Sequence, residues 1–110
     1  MTEQAFYVLL SLVEGPSHGY GVVGKVEDLS EGQVSLKVGS LYGVLDRLVS
    51  EGRVELDREE IHQGRARRYY RLTEDGAAAL DAETERRTAA ARLASKHLRP
   101  WRAARAGGVG

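Results

Sequence analysis

The sequence contains no cysteine, which removes disulfide staples and thiolate metal ligands and fits a reducing compartment. No apolar run approaches the roughly 20 residues that a membrane span needs. The first residues also lack the basic-then-apolar pattern of a signal peptide. A cytoplasmic protein with no membrane partner is the expectation. The three histidines, His18, His62 and His97, are scattered and have no partner at metal-ligand spacing, so neither a metal nor a cofactor is expected. Catalysis finds no foothold either. The acid pairs Glu59-Glu60 and Glu74-Asp75 fall on a loop and a helix start, and Gly19-Tyr20-Gly21 lies within a helix, not in a nucleotide-binding loop after a strand. An enzyme is not expected.

The chain is 110 residues long, with 42% hydrophobic and 29% charged residues, values of one ordinary small globular domain. Its formal net charge of +0 argues against nucleic acid as a partner, but the distribution of charge carries more information than the sum. From Met1 to Gly52 the only bases are Lys25, Lys37 and Arg47, whereas the run from His62 to Arg71 holds Arg65, Arg67, Arg68 and Arg71 and no acid. This pattern places one basic projection on an otherwise neutral body.

Apolar periodicity predicts a helix over residues 3–14, with Phe6, Leu9, Leu10 and Val13 inward and Thr2 as its cap. Gly15-Pro16 ends it. A second helix is expected from a Ser17 cap to about Leu29, with Tyr20, Val23 and Val26 inward. Its glycines, Gly19 and Gly21, cost about 1 kcal/mol each in a helix and imply either close packing or a weak first turn. After a turn with a short extended piece through Val34 and Leu36, a third helix covers about Val38 to Glu51. Leu41, Val44, Leu45 and Leu48 form its apolar stripe, and Gly52 stands where a left-handed cap belongs. The opposite face carries small side chains, which would let the helix approach a groove closely.

Strands are expected at 53–57, with Val54 and Leu56 on one side, and at 68–73, with Tyr70 and Leu72 on one side. The basic loop between them turns near Gln63-Gly64. A three-helix unit followed by two strands and a basic loop reads as a winged helix-turn-helix over residues 1–73. From a Thr73 cap, one long helix should run over 74–99, roughly 38 Å at 1.5 Å per residue. Pro100 should end it, leaving 100–110 as a flexible tail. The fold class expected is thus mainly α with a small β-hairpin and a long C-terminal dimerisation helix. Leu80, Ala91, Ala94, Leu98 and Trp101 are the dimerisation candidates, on a seam that Thr84 and Arg87 interrupt.

Three segments resemble the PadR family of transcriptional regulators. GPSHGYGVV at 15–23 is similar to that family's first loop and second helix. VGSLYGVLDRLVSEGRVE at 38–55 resembles its recognition helix, and GRARRYYRLTEDG at 64–76 its wing and the start of the last helix. The match spans roughly residues 4–80, and the short C-terminal part resembles the subfamily with a single dimerisation helix. The resemblance implies a repressor that binds an inverted-repeat operator as a homodimer, in a nearby promoter or its own. It also implies a small-molecule effector, because some short members bind flat hydrophobic compounds at the dimer interface through aromatics of the last helix. Here no aromatic lies between Tyr70 and Trp101, a departure from that pattern.

Double-stranded DNA as partner needs base-edge contacts in the major groove and phosphate contacts that fix register. Lys37, Ser40 and Tyr42 are the expected groove contacts, and Arg47 a phosphate contact farther along the helix. Arg65, Arg67 and Arg68 are expected to meet phosphates or a narrow minor groove from the wing. Ser17 and the amides after it suit another phosphate, with His18 adding charge. The alternative for Tyr42 is packing against the second helix, for Ser40 a capping role, for the segment at Ser17 and His18 packing of the first two helices, and for the wing arginines pairing with Glu59 and Glu60. Two other functions compete: a winged-helix module for protein–protein binding, and a small-molecule sensor whose ligand sits at the dimer interface.

Overall fold

The structure is a computed structural model and describes residues 1–107. The described residues form, in chain order, α1 (Glu3–Ser11), β1 (Ser17–His18), α2 (Gly19–Leu29), α3 (Val38–Ser50), β2 (Val54–His62), β3 (Arg65–Leu72) and α4 (Glu74–Gly107). The strands make one antiparallel sheet in the order β1-β3-β2. This is a winged helix-turn-helix body with a long helix leaving it, as expected.

The core forms where apolar stripes of different elements meet. Val8, Leu9 and Leu12 from α1 and its end, Val22 and Val26 from α2, and Leu41, Leu45 and Leu48 from α3 are almost wholly buried together with Val54 and Tyr70. Burial of a side chain of this size contributes about 1.5–3 kcal/mol. Between α2 and α3 the chain forms no strand. Instead the buried Ser30 hydroxyl accepts from the Val34 amide at 3.0 Å and donates to the Val34 carbonyl at 3.1 Å, a small closed turn that carries Leu36 into the core.

Several local expectations are corrected. Helix α1 stops at Ser11, three residues early, so Val13 is exposed. Ser17 does not cap α2; it lies in β1, opposite Tyr70, in a third strand that sequence periodicity does not predict. The cap is His18, whose Nδ1 accepts from the Gly21 amide at 3.3 Å. Tyr20, expected inward, lies on the side of α2 away from the buried Val22 and Val26 and is 70% exposed. The two early glycines of α2 are explained by side-chain proximity. A Cβ on Gly19 would come within 2.9 Å of the Tyr42 hydroxyl, and one on Gly21 would strike the Ser17 hydroxyl.

The wing is more regular than a basic loop. Strands β2 and β3 pair as far as His62 and Arg65, leaving a two-residue turn at Gln63-Gly64 with φ of 51° and 78°. Two positive φ values in succession suit the right-handed strand twist, and glycine at the second carries no Cβ penalty. A register shift between Leu56 and Arg58 breaks the alternation, and Leu56, expected inward, is exposed.

Helix α4 runs through Pro100 to Gly107 instead of ending at 99. A mid-helix proline costs one hydrogen bond and about 3 kcal/mol, but Ala103, Ala104 and Ala106 beyond it are the strongest helix formers. The part of the expected tail at 108–110 lies outside the described residues. Leu80, expected at a dimer seam, is 7% exposed and belongs to the chain's own core. Arg87 also acts within the chain. Its guanidinium lies 3.9 Å from the Phe6 ring centroid and 2.6 Å from Glu3, so α4 is clamped to α1. Beyond Arg87 every described residue of α4 is exposed, and the molecule is drawn out to 66 × 27 × 21 Å.

Candidate nucleic-acid interface

Helix α3 shows three faces to its surroundings. Leu41, Leu45 and Leu48 point to the core. Ser40 and Arg47, two turns apart, lie together on the side nearest the start of α1, where they line a groove with Thr2, Gln4 and Gly43. Tyr42 lies on the other side and lines an open cleft of about 850 Å³ toward the wing. Between these two sides the helical period puts Gly39, Gly43 and Asp46 on the outermost ridge. A Cβ added to Gly39 or Gly43 would meet no atom within 4 Å, and neither residue has positive φ. No internal packing requires these glycines. They keep the outer ridge low, between Ser40 and Arg47 on one flank and Tyr42 on the other.

Lys37 is the residue before the first turn of α3; its side chain is exposed and makes no capping hydrogen bond. Tyr42 combines both sequence-based readings. Its hydroxyl edge rests against Gly19 at the start of α2, yet the residue is 40% exposed and its ring forms a cleft wall. Ser17, expected to hold a phosphate, is buried, and its hydroxyl is turned to Gly21 and to the His18 carbonyl at 3.5 Å. It is therefore not presented at the surface.

The cleft is bounded on its far side by the wing. Strand β1 pairs only with Tyr69 and Tyr70, so the β3 edge from Arg65 to Arg68 has no strand beside it and forms the cleft's other wall. Alternation along β3 places Arg65 and Arg67 on one face, with Tyr69, and Arg68 on the other. The two faces differ in what holds them. Arg68 donates from Nε to Glu59 at 3.0 Å, the cross-strand residue opposite it, so the predicted pairing with Glu59 is real for this arginine. Among the described residues, neither Arg65 nor Arg67 makes an ion pair; Glu60, across from Arg67, is taken by Arg58 at 2.7 Å. The Arg58 guanidinium in turn stacks 4.1 Å from the Tyr69 ring centroid.

His18 does not add charge. Burial first, then the positive charge of Arg67, His62 and Lys25, hold its pKa below the ordinary value. Its Nδ1 accepts the Gly21 amide hydrogen bond, which requires the unprotonated nitrogen. Its ring packs edge-on to Tyr69, centroids 5.4 Å apart.

Sequence reasoning missed three residues of the cleft: Tyr20, His62 and Gln63. Tyr20 is missed because the apolar spacing Tyr20, Val23, Val26 competes with the stripe that is buried, Val22 and Val26. His62 and Gln63 fall within the expected loop, although an apolar Ile61 opposite Ala66 and the Gln-Gly pair are signals of strands running to a tight turn. Of the predicted DNA-contacting residues, Tyr42, Arg65, Arg67 and Arg68 come together at the cleft. Ser40 and Arg47 lie around the helix from it. No cluster of potential metal ligands occurs among the described residues.

Residues 8–82 match the transcriptional regulator PadR-like family. No protein of curated function matches the chain. Among solved structures the chain is similar to a transcriptional regulator from Clostridium thermocellum, at 23% identity and a TM-score of 0.72, covering 84% of this chain and 89% of that one. It is also similar to a PadR family transcription regulator from hypervirulent Clostridium difficile, at 19% identity and a TM-score of 0.74, with 88% and 99% covered. A third likeness is to Bacillus subtilis PadR in complex with operator DNA, at 23% identity and a TM-score of 0.65. It covers 73% of this chain and 45% of that one. At these identities the likenesses establish a shared fold.

Proposed function

The chain belongs to the PadR-like family of transcriptional regulators, and from that premise we propose that it is a repressor that binds an inverted-repeat operator as a homodimer. Residues 1–73 are the reading head and α4 the dimerisation element. The observation that carries this reading is the low glycine ridge of α3 with the two unpaired wing arginines beside it. A helix whose outer ridge is Gly39 and Gly43 can lie deep in a major groove, where base edges are read. Ser40 on one flank and Tyr42 on the other then reach bases, with Lys37 at the helix start. Arg47 reaches one phosphate strand. Across the cleft, Arg65 and Arg67 reach the other strand or the adjoining minor groove. The solved PadR complex with operator DNA is a relative of the same fold and supports the assignment of DNA as partner.

Two heads are needed because one head offers a single short helix, and specificity of a repressor rests on two half-sites about one helical turn, roughly 34 Å, apart. Repression follows from occupying DNA that polymerase requires. An effector bound between protomers would act by changing the angle between the heads.

Fluorescence anisotropy with labelled DNA from upstream of the protein's own gene tests the reading, with random duplex as competitor and several salt concentrations. Tight binding that random DNA competes for poorly and salt weakens is the expected result. Absence of binding to any upstream segment would instead favour a protein–protein module.

A further inference from the structure

Each arginine at the wing tip faces one residue across the hairpin, and the three fare differently. Arg65 lies opposite His62, Arg67 opposite Glu60 and Arg68 opposite Glu59. An acid directly across an antiparallel pair is the natural partner of a base. Arg68 follows that rule, with its Nε 3.0 Å from the Glu59 carboxylate. Arg67 has the same opportunity in Glu60, yet it makes no ion pair among the described residues.

The difference lies in Arg58. Residues two apart on a strand share a face, so Arg58 and Glu60 stand side by side on β2, and the Arg58 Nε donates to Glu60 at 2.7 Å. Two further contacts fix the guanidinium. Its Nη1 donates to the Asp57 carboxylate at 2.7 Å, and it lies 4.1 Å over the ring of Tyr69, the residue opposite it. Asp57 and Arg58 are chain neighbours, which in a regular strand point to opposite faces. They meet here because the register shift between Leu56 and Arg58 makes Asp57 the extra residue of a bulge, and a bulge re-aims a side chain.

Glu60 is a true competitor for Arg67. The hydrogen bond from Arg58 holds its carboxyl below the ordinary carboxylate range, and the positive charge of Arg67 acts in the same direction. The carboxylate is therefore charged at neutral pH and lies within the field of both arginines. Arg58, with Nε and Nη1 each engaged by an acid, is committed within the wing.

We propose that Arg58 is a positioning residue of the wing: it holds Glu60 and thereby leaves Arg67 free to reach a DNA phosphate. The proposal rests on the DNA-binding reading and deepens it, because Arg58 acts through another side chain and sets how many wing arginines reach DNA. Arg65 needs no such guard, since the residue opposite it is a histidine. Arg68 has none, because Arg58 and Glu59 are successive residues on opposite faces of β2.

Anisotropy on the full-length protein with the upstream DNA, at about 0.1 M NaCl, provides the test. Arg58→Met keeps an apolar stem against Tyr69 and removes the charge and the donors. It should weaken specific binding by roughly fivefold, the upper range of what an exposed ion pair withholds, with far-UV circular dichroism unchanged. Two double variants of equal net charge then separate positioning from charge alone. Arg58→Met/Glu60→Gln removes the competitor and should restore wild-type affinity to within about twofold. Arg58→Met/Asp57→Asn leaves Glu60 in place and should stay weak. Adding Arg67→Ala should cost less in the Arg58→Met background than in the wild type, by the same factor of roughly five. Equal rescue by the two double variants, or no loss in Arg58→Met, overturns the proposal while the DNA reading stands. Should Arg58→Met fail to fold, Arg58→Ala in the same backgrounds gives the same comparison. A wild type that binds no upstream DNA overturns both.

Discussion

Replacing glycine by alanine at three helical positions should give opposite results, and the reason is visible at each. Gly76 stands in the first turn of α4, where its amide bonds to the Thr73 hydroxyl at 2.9 Å. A Cβ there would land on the Arg53 carbonyl oxygen and 2.8 Å from Leu72 Cδ1. That oxygen already accepts from the Thr73 amide at 3.1 Å, so it can move only by breaking the joint between α3, the wing and α4. Overpacking of this kind costs about 1–3 kcal/mol, occasionally more, and alanine's better helix propensity returns at most about 1 kcal/mol. A net destabilisation of about 2 kcal/mol is expected for Gly76→Ala, lowering Tm by roughly 10 °C. Gly39 and Gly43 face open space with ordinary helical φ. Gly43→Ala should stabilise by about 0.5–1 kcal/mol, and Gly39→Ala by less because it lies in the first turn. Yet each should weaken specific DNA binding, by roughly tenfold or about 1.4 kcal/mol, because the methyl lifts the ridge away from the bases. Thermal unfolding and anisotropy on the same samples read both effects. A Gly43→Ala protein that is less stable, or more stable with unchanged DNA affinity, would refute the reasoning about the ridge. A harmless Gly76→Ala would refute the joint.

The wing arginines should divide by face. Arg65→Ala and Arg67→Ala should each reduce the salt slope of DNA binding by about 1, whereas Arg68→Ala, which loses a bond to Glu59, should change it little; equal effects at all three would contradict the assignment. His18 should titrate below 6.5 in the folded protein, and its imidazole resonances followed by NMR against pH would show this directly. Because the unfolded chain then binds more protons as pH falls through about 6.5, His18 contributes stability above that pH that is lost on acidification; a His18→Asn variant, which retains a capping oxygen, should show a flatter stability profile between pH 7 and 5. Arg87→Met should release the α1 clamp, and amide exchange should rise in the first turns of α1 while core amides of α3 stay protected. Unchanged exchange in α1 would show that the contacts with Phe6 and Glu3 do not hold the helix.

Much of this protein was written in local pattern. The 3.6-residue stripe of α3, the Gly52 cap with φ of 75° and the Thr73 cap of α4 depend on residues a few positions apart, so periodicity and capping chemistry determine them without reference to the rest of the chain. The buried place of Tyr70 and the basic character of the wing follow in the same way. What periodicity could not supply were contacts between segments far apart in sequence. Strand β1 is two residues long and exists only because β3 offers an edge to it; with Ser17 in that strand, His18 is left to cap α2. Leu80 and Arg87 have the spacing of a dimer seam, but Leu80 joins the chain's own core and Arg87 meets α1. Arg65, Arg67 and Arg68 are equivalent as sequence; the hairpin register sets Glu59 opposite Arg68 and Glu60 opposite Arg67, but Arg58 takes Glu60, so among the described residues Arg65 and Arg67 make no ion pair. The sequence alone determined the four helices, the two wing strands and the charges they carry. The tertiary structure decided which face of each element is spent on the core, because burial is allotted by the neighbour that arrives and not by the residue that waits.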